Sequence, residues 1–337
     1  MVEIISVDNE SRWDEVIRSM HKYDFYHLAP YHKLDESGEA FLLYYSNEGN
    51  AFAFPFIKRK IPNTDYFDIT SVYGYGGPLA MTESPLHKDI SAFQTALKGY
   101  FDHNNIVTVF SSLHPLFTDQ SLLLDGLGDV ADVNKTVAIN LCLSESQQRG
   151  QYARSVKYRI NRLKKEGIVI KLASEKKDVD SFIEIYKENM DRVAAASKYY
   201  FSKDYFYAFL KKIDSEILLA YHENEVISGS LCTFCNSIMQ AHLNATKTDF
   251  LDISPLKLVL DQARREGMQR KMNWLHLGGG RDGENDSLFD FKSRFSHDHF
   301  LFKVWRYIHN EKMYSVLLKE KYKGNLPNTS FFPLYRM

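Results

Sequence analysis

The sequence predicts an α/β protein of two consecutive domains, each a mixed, largely antiparallel sheet flanked by helices, and three observations lead to that class. β-rich runs at 41–46 and 51–59, split by the turn-forming Asn47-Glu48-Gly49-Asn50, are echoed by runs at 217–221 and 226–235 split by His222-Glu223-Asn224-Glu225. Both pairs open on an apolar stretch containing Leu-Leu and Tyr, as a duplicated hairpin would. Between such runs lie helical stretches with their own start and stop signals. The length of 337 residues, 44% hydrophobic and 14% aromatic, is ample for two modest cores. A polar stretch at 143–151 marks the expected boundary and gives domains 1–145 and 146–337.

In the first half the hairpin is followed by Asp68-Ile69-Thr70-Ser71-Val72-Tyr73-Gly74-Tyr75-Gly76-Gly77-Pro78-Leu79, a block rich in aromatics and glycine. The second half starts with a helix expected over 155–166, with Val156, Ile160 and Leu163 on one face and Gly167 as its stop. Its other face is basic. Arg149, Arg154, Lys157, Arg159, Arg162, Lys164 and Lys165 are opposed by Glu166, which suits either a solvated face or contact with phosphates. A third strand at 238–246 follows Asn236-Ser237, and Ser254-Pro255 then reads as a hydroxyl cap with proline at the first position of a helix over 256–266, ended by Gly267.

Trp274-Leu275-His276-Leu277 reads as a buried strand running into Gly278, Gly279 and Gly280. A helix restarts at Asp286-Ser287, either of which can cap it, with Leu288, Phe291 and Phe295 as its apolar stripe. Lys292 lies off that stripe, with Phe289 one turn before it, so a cation stands beside a glycine-lined opening. Such a group suits a place where negative charge is bound or develops, although a lysine among aromatics is often only a solvated head on a buried stem.

Composition removes several other classes. The formal charge of −1 gives no general attraction to nucleic acid or anionic membrane. Three cysteines cannot build a disulfide framework and fit a reducing cytoplasm, and Cys232 and Cys235, in one strand at i and i+3, point to opposite faces and make a poor metal site. The start MVEIISVDNE lacks the features of a signal peptide, and no apolar run approaches membrane-spanning length. The markers of nucleotide hydrolases, zinc proteases and α/β-hydrolases are missing, His297 and His299 have no obvious third ligand, and no metal is assigned. His276 suits a proton shuttle or, more ordinarily, a hydrogen-bonded structural histidine.

The run LHLGGGRDGENDSLFDFKSRFS, together with the block at 68–79, resembles the FemAB-like branch of the GNAT acyltransferase superfamily, which includes the Fem aminoacyltransferases of peptidoglycan bridge synthesis. The resemblance implies tandem GNAT-like domains and acyl transfer to an amine in cell-envelope assembly. By motif match Phe291 and Lys292 are the catalytic pair, and Lys33 and Arg192 are the nearest matches to the substrate-phosphate contacts. Tyr73, Tyr75 and Tyr200 with Gly278, Gly279 and Gly280 then fall to the substrate, and Ser254 to the donor.

It implies no permanently bound cofactor, a donor that is either aminoacyl-tRNA or an acyl-CoA, and a nucleotide- or lipid-linked sugar or peptide as acceptor. DNA is not implied, and peripheral contact with a membrane is compatible with it. The loop Thr246-Lys247-Thr248-Asp249-Phe250-Leu251-Asp252-Ile253 departs from the ordinary GNAT pattern, since it has no glycine and two aspartates where pyrophosphate is gripped. The long helical hairpin of some Fem enzymes is also not evident. Three functions follow: Fem-like aminoacyl or acyl transfer, coenzyme A-dependent acetylation of an amino sugar, and a catalytically silent binding protein.

Overall fold

The computed structural model describes residues 1–47, 49–280 and 286–337. Glu48 of the first expected turn, and residues 281–285 between the glycines and the last helix signal, lie outside the described residues. Two compact units emerge, one made of Met1–Val133 with Leu301–Met337 and the other of Asn134–Phe300. The expected boundary near 145 and the assignment of the last segment to the second domain therefore differ from the observed units. The polar stretch at 143–151 is a helix of the second unit, Glu145–Gln151, started by a Ser144 capping box rather than a linker.

In the first unit β1 (Val2–Ser6), β2 (Glu39–Asn47), β3 (Asn50–Lys60) and β4 (Phe67–Thr70) pair antiparallel in that order. β5 (Leu79–Ala80) adds to β3, and β6 (Ile106–Ser112) runs parallel to β4. The far side of β6 is taken by the returning strand Asp298–Ile308, in register from Val304↔Ser112 to Ile308↔Thr108. The helix His87–His103 buries Ile90, Phe93, Leu97 and Phe101 against Phe52, Phe54, Phe56 and Trp305. Phe52, Phe54 and Phe56, at alternate positions of β3, share the face turned to that layer.

The second unit orders its strands β7-β12-β11-β10-β9-β8. These are β7 (Asp129–Asn140, of which 134–140 belong here), β8 (Val169–Leu172), β9 (Ser215–His222), β10 (Glu225–Cys235), β11 (Ile238–Thr246) and β12 (Trp274–Gly279). All pair antiparallel except β11 and β12, which are joined by the helix Leu256–Gln269. The β10–β11 turn places Asn236 and Ser237 at φ 42° and 67°, the left-handed pair that a tight hairpin needs. The basic helix, Arg154–Lys165, buries Val156, Ile160 and Leu163 as its spacing requires.

Gly267 does not end the helix of 256–269. A Cβ there would stand 2.6 Å from Leu141 Cδ1, so its role is close packing inside the helix. Among the described residues no helix is long and apolar enough to cross a membrane.

Candidate active site

Lys292 sits on the short helix Ser287–Ser293, whose start is fixed by Asp286: its carboxylate accepts the Phe289 N–H at 2.8 Å. Of the expected stripe, Phe295 is buried and Phe291 packs against the core, but Leu288 is not part of the buried face. Leu288 is 40% exposed, Phe289 is buried, and Phe295 is buried beyond the helix end. With only two turns available, Phe289 docks the helix, and Lys292, three residues on, follows it inward. Lys292 is consequently half-buried rather than surface-facing, and its Nζ donates to the Gly279 carbonyl at 2.7 Å. Loss of hydration lowers its pKa to about 8, against a weaker upward pull from the Asp286 carboxylate.

The acceptor of that bond lies at the end of β12, where Gly278 has φ +78° and the register against β7 shifts between His276 and Gly278. A Cβ on Gly279 would stand 2.9 Å from the Lys135 carbonyl, so the backbone can approach its neighbour only as glycine. His276, one turn of the strand earlier, is buried and paired through Nδ1 with Gln240 Oε1 at 2.7 Å. Phe291 packs edge-on to Phe295 and lies 5.9 Å below Lys257 Nζ, a contact the sequence did not single out. The Lys257 pKa is lowered by burial and by the like charges of Arg159 and Arg294.

The 246–254 loop carries a further correction. Ser254, at φ +51°, turns its hydroxyl back to the Leu251 carbonyl at 3.2 Å, and the helix starts at Leu256 without a side-chain cap. Arg192 donates to the Thr246 carbonyl and to Thr248 Oγ1, both at 3.1 Å, and also bonds Asn189. One turn earlier Glu188 accepts the Thr248 N–H at 2.7 Å. Spaced four apart on one helix face, Glu188 and Arg192 hold the loop between them. A carboxylate thus already takes a backbone amide of the loop in which phosphate would be gripped.

Residues 150–293 match the family model described as an acetyltransferase (GNAT) domain, a span that includes Phe291, Lys292 and the glycines. No curated protein matches the chain in sequence. Among solved structures FemX is 14% identical with a TM-score of 0.73, over 93% of this chain and 99% of that one. A protein of unknown function from Bacteroides thetaiotaomicron gives 0.62 at 9% identity, over 91% and 100%. L-PGS from Bacillus licheniformis gives 0.59 at 12% identity, over 91% and 94%. The fold is that of FemX, and residues 150–293 carry a GNAT acetyltransferase domain. By the acetyltransferase match the chain is an acyltransferase in class.

The remaining expected residues divide between the two units. Arg192, Ser254, Phe291, Lys292 and Gly278 to Gly280 are in the second, as is Tyr200, which is 41% exposed. Lys33, Tyr73 and Tyr75 are in the first. Lys33 is ion-paired with Glu10 at 2.6 Å, so its charge is partly spent within the unit. Tyr73 is 38% exposed and its carbonyl accepts from the Tyr31 hydroxyl at 2.8 Å. Tyr75 packs edge-on to Tyr26, His114 and Phe302 at 5.4 to 5.5 Å. Below that aromatic wall His114 donates to Asp24 at 3.0 Å, both fully buried, and burial lowers the His114 pKa to about 3.

The basic helix is less open than its composition implied. Arg149 and Lys164 turn to the buried Asp261 at 3.3 and 3.9 Å, and Arg162 pairs with Glu166.

Proposed function

We propose that the chain transfers an activated acyl or aminoacyl group to an amine of a cell-envelope precursor, peptidoglycan or surface polysaccharide, with Lys292 stabilising the charge that develops. The observation that carries this reading is the position of Lys292 within the matched domain: an ammonium with depressed pKa, held by a glycine carbonyl at the end of β12. A neutral amine attacks the activated carbonyl, the carbonyl oxygen becomes negative, and the C–O or C–S bond to the carrier then breaks while the amine gives up its proton. A desolvated ammonium aimed at that oxygen is worth more in the transition state than in the ground state. Phe291, alongside it, is assigned to shaping the site, and Tyr200 and the glycines to contact with substrate. In GNAT domains the donor is a co-substrate rather than a resident cofactor.

For the donor, the Glu188–Thr248 bond and the two loop aspartates favour an aminoacyl ester over a pyrophosphate-bearing thioester, because an anion there meets carboxylates before amides. The second reading, an acyl-CoA donor for an amino sugar, is favoured by the acetyltransferase family match itself. Calorimetry separates them: acetyl-CoA is expected to bind weakly, and tight binding would promote the second reading.

The catalytic assignment is tested by single-turnover kinetics once a thermal-shift panel of acyl-CoAs, aminoacyl-tRNA and UDP-amino sugars has identified the donor. Lys292→Ala is expected to lower kcat by roughly a hundredfold or more with little change in KM. Lys292→Arg is expected not to rescue it, since the planar guanidinium differs in shape and reach. Wild-type turnover in Lys292→Ala would make Lys292 an ordinary lysine.

A further inference from the structure

The helix that carries Lys292 is too short to hold itself in place, and its C-terminal end leaves carbonyls unpaired by the helix's own bonds. The residues that meet this end come from the bend between Glu145–Gln151 and the basic helix. Ala153 N–H donates to the carbonyl of Arg294, the C-cap residue, at 2.8 Å. Gln151 Oε1 accepts both the Ser296 hydroxyl at 2.9 Å and the His297 N–H at 3.0 Å. The ring of Tyr152, between them, stands edge-on to the buried Phe295 at 5.2 Å.

This bend is itself rigidly held. The Tyr152 hydroxyl donates to Asp261 at 3.2 Å and receives from Arg264 Nε at 3.2 Å, both partners being buried on the helix Leu256–Gln269. Gln148 accepts from the same Arg264 at 3.0 Å and donates to the Leu141 and Leu143 carbonyls. Three consecutive residues therefore seize both the backbone end and the trailing side chains of the lysine helix, from a base anchored in the core.

We infer that Gln151, Tyr152 and Ala153 are a positioning clip that sets where the Lys292 ammonium stands. They act through the helix and touch no substrate. The functional consequence rests on the proposed role of Lys292, whereas the geometric effect does not, and the two can be read separately.

The probe for the geometric effect is trace acetylation of the intact chain with acetic anhydride across pH, with the Lys292 peptide quantified by mass spectrometry. Reactivity follows the neutral amine, so the wild-type profile is expected to rise through about pH 8. Gln151→Met keeps the volume and removes the acceptor of both bonds. With the helix end released, the ammonium regains water, and the Lys292 profile is expected to move up by roughly one pH unit or more, towards ordinary lysine behaviour. A merely structural Gln151 would lower thermal stability and leave the titration of Lys292 where it was, and that outcome overturns the proposal.

Should Gln151→Met not fold, the test passes to Ser296→Ala, which removes one of the two donors. A smaller shift in the same direction supports the clip, and an unchanged profile overturns it. In turnover assays the clip predicts a lower kcat, roughly tenfold, at unchanged KM for Gln151→Met. A shifted profile alongside undiminished turnover in Lys292→Ala would sink the catalytic reading while leaving the clip intact.

Discussion

Arg264 and Lys292 are both cations removed from water in the second unit, yet the protein treats them in opposite ways. Arg264, fully buried, is saturated: Nε bonds Tyr152 and Asp261, Nη1 bonds Gln148, and Nη2 bonds Glu145 at 2.9 Å and Asp261 at 3.3 Å. Its charge is neutralised, and the fork ties the helix Glu145–Gln151 with its C-cap Tyr152 to the helix Leu256–Gln269. Lys292, half-buried, has one hydrogen bond among the described residues, to a neutral carbonyl, and its pKa falls to about 8. The first charge is used up in holding the fold, whereas under the proposed function the second is the one offered to the reacting group.

The largest expected effect breaks the first half of this contrast. Arg264→Ala leaves the Gln148 oxygen and the Tyr152 hydroxyl without their buried donor, while Arg149, Lys164 and Arg265 stay within 3.3 to 3.9 Å of Asp261, and is expected to cost about 1 to 3 kcal/mol in denaturant unfolding. Lys292→Met, of similar length and without charge, is expected to leave stability unreduced. A loss from Lys292→Met as large as that from Arg264→Ala would erase the distinction.

The next effect follows from the sign of the Lys292 shift. In the unfolded chain a lysine titrates near its ordinary value of 10.5, and in the folded one Lys292 does so near 8. Folding therefore disfavours its charged form, and its contribution to stability rises as pH climbs from about 8 to 10.5. The Lys292 contribution to activity runs the other way, complete below about pH 8 and falling roughly tenfold per unit above it. Comparing wild type with Lys292→Met in unfolding experiments across this range isolates the group: the alkaline gain is expected in wild type alone.

The contrast was only partly readable beforehand. The hairpins, the basic helix with its Val156, Ile160 and Leu163 face, and Asp286 as a cap are local, and local signals gave them away. The stripe over Leu288, Phe291 and Phe295 misled at its first residue alone, because the short helix turns Phe289 rather than Leu288 to the core. Ser254 looked like a cap by residue type, but a left-handed φ sends its hydroxyl backwards.

The unit boundary was hidden for a different reason. It falls within β7 and again within the strand Asp298–Ile308, and nothing in a strand's own pattern says where its neighbours come from. Nor did any spacing announce Glu188 beside Thr248, or Gln151 beside Ser296, since residues 60 and 145 positions apart meet only through the fold.

The smallest effect concerns the charge of Asp286 beside Lys292. Asp286 both caps the helix and, through its charge, holds the Lys292 pKa up against desolvation. Asp286→Asn keeps a side-chain oxygen for the Phe289 N–H, so the helix start is expected to survive. The charge is gone, however, and the ammonium loses its electrostatic support. The Lys292 titration, followed by the same trace acetylation, is expected to move slightly to lower pH, carrying the alkaline limb of activity with it. That direction is opposite to the one expected for Gln151→Met, which makes the pair informative. If Asp286→Asn instead raised the titration, the helix would have opened to water, and Asp286 would count as a cap whose charge is incidental to the site.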